Sequence, residues 1–228
     1  MNDTAGMATP GPRWGIVGGT FDPVHFGHLV IAEQAADELS LAGVYFMPVA
    51  QPVHKPAGAL ASAADRRAML ELAIADNPRF TLLDIDLERG GSSYSVETME
   101  LLVARRPADR FGFILSAENA RQVHTWRRPE RLLELCQVAI VNRLGYPTPD
   151  RTELAQLFGA LAEQFLFVES VELGHSASDI RARVARGRSI RYLVPAPVED
   201  YIAQHRLYRE AYDRPTDDRP PDDRPTDY

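Results

Sequence analysis

Residues 18–29, Gly-Gly-Thr-Phe-Asp-Pro-Val-His-Phe-Gly-His-Leu, gather groups suited to holding a highly charged anion. Gly18 and Gly19 carry no Cβ, so the backbone there can approach a bulky phosphate. Thr20 adds a hydroxyl. His25 and His28 lie three residues apart, which at a helix start brings both rings to one face. The apolar stretch Trp14 to Val17 ahead of them and the pattern Leu29, Val30, Ala32, Ala35, Ala36, Leu39 behind them read as strand, tight turn and helix. A helix beginning there presents free amides and the positive end of its dipole. Imidazoles, amides and a hydroxyl at one spot describe a polyphosphate site. A lone Gly-Gly or a lone His-x-x-His is usually structural; their combination at a strand-to-helix junction is informative.

Two further groups could serve the same chemistry. In Ser176-Ala177-Ser178-Asp179-Ile180-Arg181, hydroxyls ahead of a helix cap its first amides. Arg181, three residues past Ser178, lies over the same helix start, where a guanidinium can pair with phosphate bidentately. Lys55 is the only lysine among 25 basic residues and sits in Pro52-Val53-His54-Lys55-Pro56. In a chain otherwise written with arginine, a retained ammonium points to a need for a compact point charge.

These groups are distant in sequence, so the fold must bring them to one edge. Strand-like runs fall at about 13–18, 43–49, 80–84, 111–116, 137–142 and 165–168. Helical periodicities fall near 27–40, 64–76, 94–105, 130–135 and 152–163. This alternation predicts an α/β fold, a doubly wound parallel sheet with helices on both faces. Ligands then bind beyond the carboxyl ends of the strands, where 18–28, 51–55 and 116–118 would emerge. After residue 175 the pattern becomes a small helical C-terminal region, with segments near 177–186 and 197–206 parted by Pro195 and Pro197.

A flexible N-terminus is expected over 1–12, one domain over 13–208, and a disordered acidic Pro-rich tail over 209–228. Asp213 to Asp227 is three copies of Asp-Arg-Pro-x-Asp with no apolar side chain to bury. The 228 residues suit one α/β domain, and 45% hydrophobic content suffices for a core. A net charge of −7 argues against nucleic acid or an anionic membrane as main partner. Cys136, the single cysteine, has apolar surroundings and reads as a packed thiol. No apolar run approaches the ~20 residues of a membrane span, and the polar first thirteen residues lack a signal-peptide core. Cytoplasm is the expected compartment.

The run 18–28 resembles GGTFDPxHxGH, the signature of the T/HxGH nucleotidyltransferase superfamily, at every fixed position. Residues 176–181 resemble its closing SSTxIR element, with Ala177 and Ser178 in place of Ser and Thr. Over about residues 13–208 the chain is similar to bacterial nicotinate-nucleotide adenylyltransferases. Pro48 to Lys55 resembles that family's P-x(6)-K loop, and Asp86 to Ser95 its E-x-x-R-x-G-x-S-Y-T element. Trp126 with Leu132 and Leu133 resembles its W-x(5)-L-L helix, and Val141 to Tyr146 its V-x-R-x-G-Y stretch. Leu193-Val194-Pro195, Val198, Tyr201-Ile202 and Leu207-Tyr208 fit its carboxyl-terminal pattern. There are departures: Ser116-Ala117-Glu118 stands where Gly-x-Asp is usual, Ser95 replaces Thr, Glu97 replaces Asp, Arg127 an aromatic and Leu144 a proline. Ser116 and Glu118 add bulk beside the expected ribose, so they bear on substrate preference more than on reaction class.

The resemblance implies a Rossmann-like sheet and adenylyl transfer from ATP to nicotinate mononucleotide, with Mg2+ accompanying ATP, no protein metal ligands and no covalent intermediate. By position, His25 and His28 are catalytic. Gly18, Gly19, Thr20, Phe21, Glu118, Ser176, Ser178 and Arg181 join them in holding ATP. Lys55, Tyr94, Ser95, Trp126 and Arg143 hold the mononucleotide. The implied partners are ATP and a pyridine mononucleotide, without nucleic acid or membrane, in a chain free to form an oligomer. The alternatives are nicotinamide mononucleotide or another phosphate acceptor, and a non-catalytic nucleotide-binding regulator. Trp126 and Tyr94 speak against phosphopantetheine as acceptor; intact His25, Gly27 and His28 speak against the regulator.

Overall fold

A computed structural model describes residues 11–51, 60–142, 145–171 and 173–209. Six strands, β1 (Arg13–Gly19), β2 (Gly43–Pro48), β3 (Phe80–Leu82), β4 (Arg110–Ser116), β5 (Gln137–Val141) and β6 (Phe165–Val168), form one sheet in the order β3-β2-β1-β4-β5-β6. Every neighbouring pair is parallel. The chain winds outward from β1 through β2 to β3, then returns to β4 on the other side of β1. Connections therefore diverge at the carboxyl end of β1, which opens a crevice there. This is the Rossmann-like, doubly wound arrangement expected from the alternation of segments.

Successive strand residues point to opposite faces, and the sheet separates two cores. Val17, Val44, Phe46, Ile114, Ala139 and Val141 face one, which α1 (Phe26–Glu38), α2 (Ala63–Ile74), α8 (Ala177–Ala185) and α9 (Ala196–Gln204) cover. Ile16, Tyr45, Met47, Phe113, Leu115, Val138 and Ile140 face the other, covered by α3 (Ile85–Arg89), α4 (Ser95–Arg105), α5 (Ala117–Ala120), α6 (Pro129–Leu135) and α7 (Arg151–Phe158). The buried face of α1 is Ala32, Ala35 and Ala36, small residues that let its axis come close to the sheet. The C-terminal helices complete the first face: α9 packs on α2, where the Tyr201 hydroxyl donates to Asp65 Oδ1 at 3.0 Å.

All six predicted strands are present. The predicted helix near 152–163 is instead α7 followed by a 3-10 turn over Gly159–Gln164, parted at Gly159 with φ +56°. Sequence periodicity gave no sign of α3, α5 or the 3-10 turn Val123–Thr125, each too short to repeat a pattern. Cys136 is buried at the end of α6, and burial pushes its thiol up to about 12, so it packs as an inert apolar group. No helix among the described residues is long and apolar enough to cross a membrane. Residues 1–10 and most of the expected tail, from 210 on, lie outside the described residues.

Candidate active site

The turn that follows β1 is the centre of the site. Parallel register sets Gly18 beside Met47 and Gly19 beside Pro48, so β1 and β2 end together. Phe21 then takes a left-handed backbone conformation, φ +50°, with its ring buried, and the Asp22–Pro23 peptide is cis. That φ costs a non-glycine residue of order 1–3 kcal/mol, which the seating of the ring against Phe46 offsets. The glycines also meet an internal packing constraint. A Cβ on Gly18 would come within 2.9 Å of Phe113 Cζ, and one on Gly19 within 3.3 Å of Phe21. Their nearest neighbours within the protein are aromatic rings.

His25 ends the turn as the N-cap of α1 and is 8% exposed. Its ring and that of His28 are in contact, centroids 3.8 Å apart and planes inclined at 34°. The His25 backbone N–H donates to His28 Nδ1 at 3.2 Å. A ring nitrogen that accepts cannot carry the proton, so this bond selects the His28 tautomer whose Nε2–H is a donor. Two of the first three amides of α1 already have partners: Phe26 N–H donates to Leu193 O at 3.1 Å and His28 N–H to His25 O at 2.9 Å. The helix start thus offers an anion its dipole and its two imidazoles more than a row of free amides, a correction to the sequence expectation. Gly27 keeps the ring pair in place, because a Cβ there would stand 2.9 Å from the His25 imidazole. Gly27→Ala should therefore displace His25 and lower turnover about 10²-fold, the scale of a 1 Å misplacement. Far-UV circular dichroism should stay native; unimpaired turnover would show that the ring can shift without consequence.

A buried polar network behind the turn escaped sequence reasoning. Arg66 on α2 is 1% exposed. Its guanidinium donates to the carbonyls of Thr20 (2.8 Å), Val49 (2.9 Å) and Ala50 (3.1 Å). Burial lowers its pKa, opposed by the nearby carboxylate of Asp22. That carboxylate accepts from the backbone amides of Leu60 (2.8 Å) and Ala61 (3.1 Å) and from the Tyr208 hydroxyl (2.8 Å). Burial first, and then the Asp22 charge, pushes the Tyr208 phenol far up, so it remains a donor. Arg181 Nη1 donates to the Asp22 carbonyl at 2.7 Å. Residues 20–22 are thereby held by α2, by α8, by Leu60 and Ala61, and by the end of the C-terminal region.

The turn opens onto a cleft of about 670 Å³. Gly18, Gly19, Thr20, Phe21, His25, His28, Tyr94, Ser95, Glu118, Trp126, Ser176, Ser178 and Arg181 all line it, which is every predicted site residue within the described ones. Lys55 and Arg143 lie outside the described residues. On the far wall Trp126 meets Phe113 edge-on at 6.1 Å, and the Arg127 guanidinium lies over the Tyr94 ring at 4.6 Å. Arg127, at a place where an aromatic is usual, thus supplies another flat group. Tyr94 is the N-cap residue of α4 but makes no side-chain cap. Ser93 Oγ accepts the Ala50 amide at 3.0 Å, joining this wall to the end of β2. At the departure segment Ala117 points into the core, while Ser116 and Glu118 line the cleft. Ser116 turns its hydroxyl back to cap α5 through the Asn119 amide.

At α8 the capping alternative is realised. Ser176 Oγ accepts the Asp179 amide at 3.2 Å and donates to Asp179 Oδ2 at 2.8 Å. With that proton committed, Ser178 donates to Ser176 Oγ at 2.9 Å. His175, which precedes the cap, packs edge-on against His25 with centroids 5.1 Å apart. Asn142, beside Arg143, lines the cleft and exchanges two hydrogen bonds with the Ser170 backbone, clasping the ends of β5 and β6. His175 and Asn142 were not singled out from sequence, though both adjoin residues that were. Among the described residues no group of three or more His, Cys, Asp or Glu is arranged to hold a metal ion.

Comparison with known proteins accords with this geometry. The cytidylyltransferase-like family model matches residues 16–183. The "Probable nicotinate-nucleotide adenylyltransferase" of Synechococcus sp. (strain JA-3-3Ab) is 40% identical over 209 residues, spanning 89% of this chain and 99% of its own. That of Citrifermentans bemidjiense is 42% identical over 216 residues, spanning 87% and 99%. The structure of Plasmodium falciparum nicotinic acid mononucleotide adenylyltransferase complexed with NaAD superposes with a TM-score of 0.70 over 87% of this chain and 98% of that one. At 16% identity that likeness speaks to the fold alone. With the whole span from β1 into α8 matched, and with near-full-length relatives at about 40% identity, the chain belongs to the cytidylyltransferase-like family and, within it, to the nicotinate-nucleotide adenylyltransferases.

Proposed function

We propose that the cleft joins ATP to nicotinate mononucleotide, releasing pyrophosphate and forming nicotinic acid adenine dinucleotide for NAD biosynthesis. The observation that carries this reading is the close His25–His28 pair at the start of α1, sharing one cleft with Arg181 of α8 and with Trp126 and Tyr94 from the other face of the sheet. An oxygen of the acceptor's 5′-phosphate attacks the α-phosphorus of ATP. The bond from that phosphorus to the α–β bridging oxygen breaks, and pyrophosphate leaves with the electron pair. A phosphate monoester is already an anionic nucleophile near neutral pH, so no side chain needs to take a proton. The rate then depends on alignment and charge neutralisation.

His28, donating through Nε2–H, and His25 stabilise charge building on the α-phosphate. Gly18, Gly19, Thr20 and Phe21 frame the triphosphate. Ser178 and Arg181 hold the leaving β- and γ-phosphates; Arg181 is anchored on Asp22 through one nitrogen, and its fork retains further N–H donors for phosphate. Ser176 supports them as the cap of α8. Glu118 accepts from the ribose hydroxyls. Trp126 and Tyr94 flank the pyridine ring, Ser95 and neighbouring amides donate to its carboxylate, and Lys55 with Arg143 faces the mononucleotide phosphate. The carboxylates at the phosphate end, Asp22 and Asp179, are engaged by Leu60, Ala61 and Tyr208 and by Ser176, and the remaining imidazoles, hydroxyls and guanidinium do not fit a resident magnesium ion with its preference for carboxylate and water. Mg2+ enters as part of the substrate, on the phosphate oxygens of ATP. The same reading places the protein in the cytoplasm, working on small molecules without nucleic acid or membrane.

Amide N–H groups donate to a carboxylate and mismatch a carboxamide's NH2, so kcat/KM for nicotinate mononucleotide should exceed that for the nicotinamide form by about 10²-fold or more. The assay is dinucleotide and pyrophosphate formation from MgATP with each acceptor in turn. A preference for the amide form would overturn the acceptor assignment, and no product with either would overturn the reaction.

A further inference from the structure

His175 has no counterpart in the signature that brought its neighbours to notice, which begins at Ser176. Its position is nonetheless specific. It is the last residue before the N-cap of α8, is half-buried, and lines the cleft together with His25, His28, Ser178 and Arg181. Its ring stands 5.1 Å from that of His25 at 69°, while His28 lies 3.8 Å from His25 at 34°. The starts of two helices, α1 and α8, thereby bring three imidazoles together at one end of the cleft. His25 and His28 belong to the α1 side; Ser178 and Arg181 belong to the α8 side; His175 is the ring where the two sides meet.

We propose that His175 is a third phosphate-binding imidazole of this chain, holding the β- and γ-phosphate oxygens that depart as pyrophosphate. This rests on the adenylyl-transfer reading above and assigns it a further residue. The physical argument is one of charge and donor type. A leaving pyrophosphate needs donors along its whole length, and an imidazole at the junction can offer an N–H between those of the His25–His28 pair and the Arg181 fork. The competing role is mechanical: an edge-on ring that only holds His25 upright. The two roles separate in the reverse reaction, because pyrophosphate carries the groups His175 would bind and the dinucleotide does not.

The test measures pyrophosphorolysis of nicotinic acid adenine dinucleotide by wild type, His175→Ala and His175→Gln. The expected result for His175→Ala is a KM for pyrophosphate raised about tenfold or more, the scale of a lost hydrogen bond to a charged group, with the KM for dinucleotide unchanged. His175→Gln, whose side-chain amide supplies an N–H, should recover part of the loss. In parallel, titration of each protein with inorganic tripolyphosphate reads the same site without acceptor or turnover, and His175→Ala should bind it about tenfold more weakly. A lowered kcat with unchanged pyrophosphate KM and unchanged tripolyphosphate affinity would overturn the proposal in favour of the mechanical role. Wild type that binds tripolyphosphate through His175 but transfers no adenylyl group would instead overturn the adenylyl-transfer reading alone. Should His175→Ala fold poorly, a wild-type pyrophosphate KM and tripolyphosphate affinity in His175→Leu, which supplies a side chain of similar bulk without a donor, would also overturn it.

Discussion

Replacing His28 by alanine is expected to lower kcat by roughly 10²–10³, the usual effect of removing one preorganised donor to a developing charge. The reason lies in how the ring is held. Its Nδ1 is occupied by the His25 amide, one side lies against the His25 ring at 3.8 Å, and Phe21 meets it edge-on at 5.0 Å. A ring fixed on three sides presents its Nε2–H without reorganising when the α-phosphate acquires charge. The same contacts predict a modest stability effect. One partly buried hydrogen bond to the His25 amide is lost, about 1 kcal/mol, or a fall in Tm of about 2–4 °C for a chain of this size. The KM for ATP should change less than kcat, since the interaction is strongest in the transition state. His28→Gln should recover part of the rate. Pyrophosphate-release kinetics with a parallel thermal melt decide the matter; turnover near that of wild type would remove His28 from the chemistry.

The second large effect concerns stability. Arg66→Ala is expected to destabilise the fold by about 3–5 kcal/mol, the range for removing one member of a buried charged network. Three carbonyls, of Thr20, Val49 and Ala50, lose their donor at once, and the buried Asp22 carboxylate loses its nearby cation. Arg66→Lys should lie between the two, because an ammonium keeps the charge but cannot match the spread of a guanidinium over three acceptors. Chemical denaturation of the three proteins measures the differences directly. A loss below about 1 kcal/mol for Arg66→Ala would mean that water satisfies the carbonyls and that Arg66 is dispensable.

The comparison of these two residues shows what a sequence discloses. His28 was legible because its chemistry is local: a histidine three residues from another, after glycines, at a strand-to-helix junction. The strands were legible for a similar reason, since both faces of the sheet are covered and the runs are nearly continuous in apolar residues. Arg66 was not legible. Its role comes from carbonyls on two other segments, and nothing within α2 distinguishes it from the other arginines. Asp22 stood inside the motif, yet its partners are Leu60, Ala61 and Tyr208, which only the fold brings near. Gly18 and Gly19 were correctly placed, but their packing role was hidden, because the rings that crowd a Cβ, Phe113 and Phe21, are neighbours that periodicity does not reveal. Short elements such as α3 and α5 fell below the length at which a helical repeat can be recognised.

The hydrogen bond between Tyr208 and Asp22 also orders events in time. The two residues are 186 positions apart, which at ribosomal rates of about 5–20 residues per second separates their appearance by roughly 10–40 s. During that interval the first βα unit has emerged without the hydroxyl, and before residue 181 without the guanidinium, that finally clasp its turn. The carboxylate of Asp22 can take the amides of Leu60 and Ala61 early, but its Tyr208 donor exists only at the end of synthesis. The turn is therefore among the earliest segments to be made and among the latest to gain its full set of partners.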